Sequence, residues 1–308
     1  MVDFKMIKVS SERLEEFISS WEEAFSRRLN KELYRWLFVG NNIIYAALVK
    51  DEIAAGYCLF PLDAIVDGER KVALLCNNVF VSPRFQGHHL FVKLGRRALQ
   101  DAGSNAYGDI ALGIPNTLAL PGHRRVGWGV QPPIKFLEKN TSWSCEEIEG
   151  NWVKGGVSGT LRAKLEACSR RASQNRAFSI LKTAEFIRWR FESKPGVQYW
   201  FGYIEEGKEV SAYCICKYYD PTLTLHFVDV DGWDDMAVEK LILQAEKIPE
   251  NFRRLNVWES TAKCDVFRQV GYKNSTDQNN FILIDPKTMQ AANPKGKINL
   301  TLADNDVY

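Results

Sequence analysis

The sequence predicts a mixed α/β fold (α+β type) in two tandem copies, each a mostly antiparallel sheet with one parallel pair of strands, flanked by helices. Three observations predict it: an amphipathic first helix followed by a run of strands, a strand–loop–helix–strand unit, and a second half that repeats aromatic positions of the first. A chain of 308 residues with 45% hydrophobic content is long enough for two cores of ordinary size.

The first elements follow from the spacing of apolar residues. Over residues 11–30, apolar side chains recur at steps of three and four, which predicts an amphipathic helix; they are Leu14, Phe17, Ile18, Trp21, Phe25 and Leu29. Apolar runs at 43–49, 53–60 and 72–81 are separated by charged residues and glycine. They predict three strands that form an antiparallel meander.

After Pro83 the pattern changes to a loop followed by a helix. Residues 90–103 carry an apolar stripe, formed by Leu90, Leu94, Ala98 and Leu99, and residues 109–115 resume as a strand. A helix that connects two strands of one sheet makes them parallel. We therefore predict that this strand lies parallel to 72–81.

The second half repeats the first weakly but in order. Trp36-Leu37-Phe38 corresponds to Trp189-Arg190-Phe191, Gly56-Tyr57-Cys58 to Ala212-Tyr213-Cys214, and Gly127-Trp128 to Gly271-Tyr272. Shared order and nearly equal offsets indicate a duplication. We predict one domain over 1–145 and a second over 146–308, with the linker within 140–160, where Ser, Gly and charged residues show no period.

Composition excludes several classes of protein. The net charge is +2 and its charges are intermixed, which argues against nucleic acid. We find no signal peptide and no apolar run of about 20 residues, so we expect a cytoplasmic protein without a membrane segment. The seven cysteines form no C-x-x-C pair, and the four histidines do not fall at zinc-ligand spacings, so we expect free thiols and no metal. We expect a monomer, with a dimer left open.

A loop that leads into the second helix carries the sharpest chemical signal. It runs Val79-Phe80-Val81-Ser82-Pro83-Arg84-Phe85-Gln86-Gly87-His88-His89. A tight loop before a helix turns backbone N–H groups toward one point, and the helix dipole adds positive charge, so a pyrophosphate fits there. Gly87 permits positive φ and close approach, and Arg84 can add a charge-assisted contact.

This loop resembles the acyl-CoA signature of the GNAT superfamily. Arg84 and Gly87 match its pattern, whereas His89 stands where the family has Gly or Ala. The resemblance implies two tandem GNAT-like domains, each with its parallel pair splayed, and coenzyme A as the cofactor, with acyl-CoA as the acyl donor. The cofactor-binding residues it implies are Val79, Phe80, Val81, Arg84, Phe85, Gln86, Gly87, His88, His89 and, from the next motif, Asn116.

A second block is similar to the closing motif of the same family. Asn116, Ala119, Gly127 and Trp128 match it, and His123 stands where the family often has the Tyr that protonates the departing thiolate. A group that titrates near neutrality suits acyl transfer, so His123 is the predicted catalytic residue. The alternative is a packing or surface histidine after Pro121-Gly122, with proton transfer left to water or to second-domain carboxylates.

The second half keeps the scaffold and lacks the cofactor loop. Its strand LTLHFVDVDG leads to a helix without an Arg-x-x-Gly cradle, and Phe267 stands four residues before Gly271, as His123 does before Gly127. Acidic residues at this junction would repel a pyrophosphate; they are Asp229, Asp231, Asp234 and Asp235. We therefore predict one acyl-CoA site per chain, in the first half.

The overall layout resembles nucleotide-sugar N-acyltransferases of bacterial surface-polysaccharide pathways. This implies a nucleotide-linked amino sugar (dTDP- or UDP-amino deoxysugar) as the acceptor, in a cleft that the second domain helps to form. The candidate substrate-binding residues are Asn78, Arg188, Trp189, Arg190, Asp229 and Asp231. Two alternatives stay open: an acyltransferase for another amine, such as an aminoglycoside or an aminoacyl or peptidoglycan precursor, and a non-catalytic acyl-CoA-binding regulator.

Overall fold

A computed structural model describes residues 3–38, 40, 42–141 and 148–305 of the chain. The strands, numbered in chain order, are β1 Lys5–Lys8, β2 Ile43–Val49, β3 Glu52–Val66, β4 Glu69–Val81, β5 Ile110–Gly113, β6 Gly129–Asn140, β7 Asn151–Lys154, β8 Phe178–Ile180, β9 Trp200–Glu206, β10 Glu209–Tyr219, β11 Thr224–Gly232, β12 Arg254–Trp258, β13 Lys273–Ile284 and β14 Ile298–Asn299. The α-helices are α1 Leu14–Phe25, α2 Lys31–Phe38, α3 Leu90–Ser104, α4 Leu120–Val126, α5 Gly159–Ser173, α6 Ala184–Ile187, α7 Asp235–Ala245 and α8 Cys264–Gln269.

The chain forms two compact units, and neither is continuous in sequence. The first unit comprises Met1–Leu62, Lys71–Pro133 and Asn279–Asn293, and the second comprises Asp63–Arg70, Ile134–Gln278 and Pro294–Tyr308. The continuous segments 1–145 and 146–308 that the sequence predicts meet outside the described residues. The limits of the two units differ from these segments because the end of β13 belongs to the first unit, and most of β6 and the β3–β4 turn belong to the second.

The sheet of the first unit begins with an antiparallel meander. β1 pairs with β2 and β2 with β3, and β4 follows as the neighbour of β3. β4 then pairs with β5 in parallel, from Ala73 opposite Ile110 to Cys76 opposite Gly113. The far edge of β5 is covered by Ile282–Ile284 of β13, which run antiparallel to it. The predicted parallel pair is therefore present, and antiparallel pairing dominates elsewhere.

Two apolar clusters hold helices against this sheet. Phe17 and Trp21 of α1 and Phe38 of α2 are buried in one cluster with Ile44 of β2 and Phe80 of β4. The stripe of α3 packs into the other cluster through Leu90, Leu94, Ala98, Leu99 and Ala102. The spacing of these residues, three and four apart, places them on one helix face, so burial of that face stabilises each helix.

The second unit repeats the same plan. β7, β9, β10 and β11 pair antiparallel in that order, and β11 pairs with β12 in parallel from Thr224 opposite Arg254 to His226 opposite Asn256. Phe136–Asn140 of β6 cover the far edge of β12. A short parallel pair, β8 with β14, lies beside the end of β3 and uses the C-terminal tail.

The repeated residues of the sequence fall on corresponding elements. Tyr57 lies on β3 and Tyr213 on β10, the strands that precede each parallel pair by one position, and Gly127 and Gly271 follow α4 and α8. The predicted mixed α/β fold in two copies is confirmed. The predicted helix over 11–30 is shorter, since a 3₁₀ turn at Ser11–Arg13 precedes α1, and α2 was not predicted. Among the described residues, no helix is both long and apolar enough to cross a membrane.

Candidate functional site

The two strands of the parallel pair in the first unit separate after a short register. Pairing ends at Cys76 and Gly113, where β5 stops, while β4 continues to Val81. Ser82 then turns the chain, with its N–H bound to the Ala54 carbonyl and its hydroxyl bound to Glu23 at 2.9 Å. β4 thus continues for five residues beyond the end of its pairing with β5, as a splayed pair requires.

The loop from Pro83 to His89 ends in two left-handed residues directly before α3. Gly87 has φ +80° and His89 has φ +59°. A Cβ added to Gly87 would meet no atom within 4 Å, so the space beside it is open, and only the backbone conformation requires glycine. His89 adopts the left-handed conformation at a small cost in free energy, and its side chain is exposed.

No side chain caps the N-terminus of α3. His89 stands at the N-cap position and makes no side-chain hydrogen bond to the helix, whose first internal bond runs from the Lys93 N–H to the His89 carbonyl. The first N–H groups of a helix lack intrahelical partners, and the dipole of a helix of 15 residues adds positive charge there. This end of α3 can therefore receive an anion.

Arg84 lies beside this loop and is held by two carboxylates. Its guanidinium is 3.1 Å from Glu52 and 3.5 Å from Glu23, and it stacks on the Phe85 ring at 5.4 Å. The side chain is 61% exposed, so these ion pairs are weak and exchangeable. Arg84 is thus placed to turn toward a phosphate. Of the other polar residues of the loop, Gln86 is exposed and His88 is half-buried.

The side chains at the end of β4 differ in whether they are buried in the core or remain partly accessible. The Phe80 ring is buried against Phe17 at 5.2 Å, so its side chain belongs to the α1 core and only its backbone can serve a cofactor. Val79 and Val81 are half-buried. Asn78 has φ +47°, and its Oδ1 accepts a hydrogen bond from the Trp21 indole at 3.1 Å.

The two adjacent asparagines of β4 each keep a buried polar atom without a partner among the described residues. These atoms are Oδ1 of Asn77 and Nδ2 of Asn78. Such atoms cost free energy unless a ligand or water completes them. Asn78 is a predicted substrate-binding residue, whereas nothing in the sequence marks Trp21, which fixes the orientation of the Asn78 amide, as a site residue.

His123 lies inside the first unit, in a cage of aromatic rings. It is 4% exposed, and its ring packs edge-on against Phe91 at 5.0 Å and Trp128 at 5.7 Å, with Tyr57 at 6.3 Å. Burial lowers the pKa of His123 to about 4, so the imidazole is neutral at neutral pH. The sequence suggested a group that titrates near neutrality, and desolvation is the reason why this one does not.

The imidazole retains one free polar atom. Its Nδ1 is buried and has no hydrogen-bond partner among the described residues. Close by, the Trp128 indole donates to the Tyr57 hydroxyl at 3.0 Å, and burial raises the pKa of Tyr57 well above its ordinary value. Tyr57 therefore stays protonated. In the sequence Tyr57 is only a marker of the repeat, because nothing in the pattern of β3 distinguishes it from a core tyrosine.

Asn116 has a structural task in this region. Its Oδ1 accepts a hydrogen bond from the Ala119 N–H at 2.8 Å, and its carbonyl accepts one from Leu120. The side chain thereby closes the turn that leads into α4, although Asn116 itself is exposed. This turn accounts for an asparagine at this position of the motif. A contact of Asn116 with coenzyme A stays a prediction.

The candidate residues Arg188, Trp189 and Arg190 of the second unit do not form one surface. Arg188 is exposed and Trp189 is half-buried, whereas Arg190 is 1% exposed and donates hydrogen bonds to the carbonyls of Ala303 and Asn305. These three candidate substrate-binding residues are therefore not brought together on one surface. A π-helical turn over Arg188–Glu192 directs the two arginines to different environments.

The candidate carboxylates of the second unit are already bound. Asp231 forms a two-fold ion pair with Arg176 at 2.7 and 2.6 Å, and Asp229 accepts a hydrogen bond from Tyr213 at 2.9 Å. Both are nearly inaccessible, and burial raises the pKa of Asp229 to about 6. Asp231 already has a cation, so it is not free to hold a substrate ammonium, and contact of either carboxylate with the acceptor stays a prediction.

The junction that follows β11 differs from the loop before α3. Asp234 caps α7 by accepting the Met236 N–H at 2.9 Å, and Asp235 pairs with Lys263 at 2.7 Å. A carboxylate thus occupies the position that an anion would need. Among the described residues, no group of three or more His, Cys, Asp or Glu side chains could hold a metal ion.

Comparisons with known proteins agree with this geometry. Residues 5–131 match the model of the acetyltransferase (GNAT) domain. A GCN5-related N-acetyltransferase from Anabaena variabilis is similar in structure, with TM-score 0.70 and 13% identity over 93% of this chain and 74% of that one. Eis1 from Mycobacterium abscessus gives TM-score 0.65 and 12% identity, over 93% and 74%.

Proteins with larger acyl donors share the fold as well. Saccharomyces cerevisiae N-myristoyltransferase, in a structure with bound myristoyl-CoA and inhibitors, gives TM-score 0.60 and 12% identity over 92% of this chain and 80% of that one. No curated protein is significantly similar in sequence. Residues 5–131 thus match the acetyltransferase (GNAT) domain, and this match confirms the predicted acyl-CoA-dependent N-acyltransferase and its acyl-CoA donor.

Proposed function

We propose that the protein transfers an acyl group from acyl-CoA to the amine of a nucleotide-linked amino sugar, in the cytoplasm and for surface-polysaccharide synthesis. One observation carries the acyl-CoA half of the proposal: the uncapped N-terminus of α3 directly follows the left-handed residues Gly87 and His89, at the open end of the β4–β5 pair. Backbone N–H groups and a helix dipole at one point suit a pyrophosphate.

The residues present fit coenzyme A. The N–H groups at the start of α3 would hold its phosphates, Gly87 leaves space for their approach, and Arg84 would exchange an exposed carboxylate for them. The bound donor supplies an activated thioester. N–H groups in Val79–Val81 would donate to the thioester carbonyl oxygen, where negative charge develops during attack.

Acyl transfer forms a C–N bond and breaks the C–S bond. A proton leaves the attacking nitrogen, and coenzyme A departs as a thiolate that takes up a proton. His123 is neutral and its Nδ1 has no partner among the described residues, so it can relay a proton, taking one up at one ring nitrogen as it gives one up at the other. It is a poor resting base, because an imidazolium is costly in its aromatic cage. Neither Asn77 nor Asn78 can act as a base. The amine must therefore arrive neutral, and the proton that it loses on attack leaves through His123 or through water.

The acceptor class rests on the layout of the chain and on neutral polar groups at β4. Buried amide atoms of Asn77 and Asn78 lack partners among the described residues and suit a neutral group that both donates and accepts, such as a sugar hydroxyl. The nucleotide part would require a separate anion site. We expect the protein to act as a monomer.

The test is turnover of acetyl-CoA and longer acyl-CoA donors, followed by thiol release, with a panel of amines. The panel holds dTDP- and UDP-amino deoxysugars, an aminoglycoside and a peptidoglycan-precursor amine. The proposal predicts the highest kcat/KM with a nucleotide-linked amino sugar. Coenzyme A binding without turnover of any amine would instead indicate an acyl-CoA-binding regulator, and preference for a nucleotide-free amine would remove the acceptor proposed here.

A further inference from the structure

The second unit contains a polar groove that neither the sequence motifs nor the comparisons assign. Its volume is about 520 Å³, within the range of small-molecule sites. Cationic and amide side chains line it, namely Gln174, Asn175, Arg176, Lys295, Lys297 and Asn299. We call it the tail groove, because three of these residues belong to the C-terminal tail after Pro294.

The tail groove has an excess of positive charge. Arg176 is neutralised by Asp231, but no carboxylate lies within ion-pair distance of the ammonium groups of Lys295 and Lys297 among the described residues. Asp67, the acidic residue of the lining, uses its Oδ1 to accept the Lys295 backbone N–H at 2.9 Å. Outside the Arg176–Asp231 pair, the lining thus carries two lysines and one aspartate, and Lys297 donates a hydrogen bond to the Cys264 thiol at 3.6 Å. The lining therefore has a net positive charge, which favours an anion.

The floor of the groove is fixed by buried hydrogen bonds. Asn299 is 4% exposed, accepts the Ala262 N–H at 2.6 Å and donates to Ser179 at 3.0 Å. The Asp67 N–H donates to the Ala177 carbonyl at 2.7 Å. These bonds join the β3–β4 turn, the residues after α5 and the tail. The cations are therefore carried on a scaffold that is formed before a ligand arrives, which reduces the cost of binding.

We propose that the tail groove binds a nucleoside diphosphate, the anionic part of the proposed acceptor, and the inference rests on that proposed function. Lys295 and Lys297 would bind the phosphates, and the carboxamides of Gln174 and Asn175 would contact the base or the ribose. Arg190, a candidate substrate-binding residue in the sequence, cannot bind these phosphates, because it is buried and donates a hydrogen bond to the Ala303 carbonyl.

Calorimetry with UDP, dTDP, uridine and inorganic phosphate tests the inference. The full chain should bind UDP or dTDP, and each more tightly than either uridine or phosphate, because the groove offers both cations and amides. The variant K295Q/K297Q should bind the diphosphate at least about tenfold more weakly, since each charge-assisted bond contributes about that factor. Coenzyme A affinity should not change.

A second double variant provides the control for net charge. K208Q/K240Q removes two exposed lysines of the same unit outside the tail groove and should leave UDP affinity unchanged. Thermal melting of both variants checks folding. Equal losses in the two variants, or wild-type affinity in K295Q/K297Q, would overturn the groove as the site.

The acceptor proposal and the groove fail in different ways. Turnover of a nucleotide-linked amino sugar with an unchanged KM in K295Q/K297Q would reject the groove and keep the function. A second outcome is that K295Q/K297Q weakens diphosphate binding while the enzyme turns over only amines without a nucleotide. This result would keep the groove as an anion site and reject the nucleotide-linked acceptor. Binding of phosphate as tight as that of UDP would reject a nucleoside site.

Discussion

His89 and Asp234 each stand directly before the helix that follows the first strand of a parallel pair, but only Asp234 caps its helix. Asp234 accepts the Met236 N–H at 2.9 Å, whereas the His89 side chain makes no bond to α3. A carboxylate at a helix N-terminus already satisfies the N–H groups and the dipole. The two units thus share a scaffold and differ in whether an anion can be received.

Coenzyme A should therefore bind with a stoichiometry of one per chain. Calorimetric titration of the full chain measures this directly. The variant Asp234→Ala removes the cap of α7. The second unit still carries Asp235 at this position and has no loop like Pro83–His89, so the variant should not create a second site. Two equivalent sites in the wild-type chain would contradict the asymmetry.

Gly87→Val should abolish coenzyme A binding while the protein stays folded. Valine disfavours a φ of +80° and fills the approach to the α3 N-terminus. Gly207→Val is the matched control, because Gly207 also has positive φ, +64°, and open space, in the β9–β10 turn. Both variants should lose similar stability in thermal melting, and only Gly87→Val should lose affinity. Equal affinities would mean that the phosphates bind elsewhere.

His123→Asn should lower turnover by roughly 10²–10⁴-fold with little change in acyl-CoA affinity, if the imidazole relays the proton. The control is His226→Asn, since His226 is a second buried histidine whose pKa burial also lowers to about 4, bound to Asn256 in the other unit. If His123 only contacts the acceptor, the Michaelis constant should rise instead. Wild-type turnover in the His123→Asn variant would mean that His123 only packs in the core. The corresponding residue of the second unit, Phe267, packs in this way against Tyr272 at 5.0 Å.

The same two histidines should make stability depend on pH in the acid range. Each has a folded pKa of about 4, below its ordinary 6.5, so the unfolded chain binds more protons between these values. The free energy of unfolding should therefore fall as pH drops from about 6.5 to 4. Denaturant unfolding of His226→Asn, compared with wild type across this range, should show a shallower fall. An identical pH slope would contradict neutral burial.

Asp229 should act in the opposite direction. Burial raises its folded pKa to about 6 from 3.8, so the folded chain binds more protons and loses stability as pH rises through that interval. Asp229→Asn keeps an acceptor for Tyr213 and should be more stable than wild type by about 1–3 kcal/mol at pH 8. The gain should vanish below about pH 4. A gain that is independent of pH would indicate another cause.

Asp231→Asn serves as the comparison for that substitution. It leaves Arg176 without its carboxylate in a nearly buried position, so it should destabilise the protein by about 3–5 kcal/mol. Asp229→Asn should thus raise the free energy of unfolding and Asp231→Asn should lower it. Opposite changes at two aspartates of the same strand would show that ion pairing decides the contribution of each carboxylate to stability.

The local elements and the loop chemistry could be predicted from the amino-acid sequence. The three- and four-residue spacing of Leu90, Leu94 and Ala98 predicts α3, and the run at 43–49 coincides with β2. These features depend on neighbours within one or two turns of chain, and a periodic pattern encodes them directly. The position of Gly87 between a strand and a helix is local for the same reason.

The partners and the environments of the candidate residues depend on the folded chain. Ile282–Ile284 pair with β5 across about half of the chain, and strand pairing at that separation leaves no mark on periodicity. Arg190 and Asp231 look like binding residues until Ala303, Asn305 and Arg176 are brought to them. His123 likewise changes from a titrating group to a neutral one because a cage of rings excludes water from it. Burial and pairing are properties of contacts between distant residues, so the fold alone fixes them.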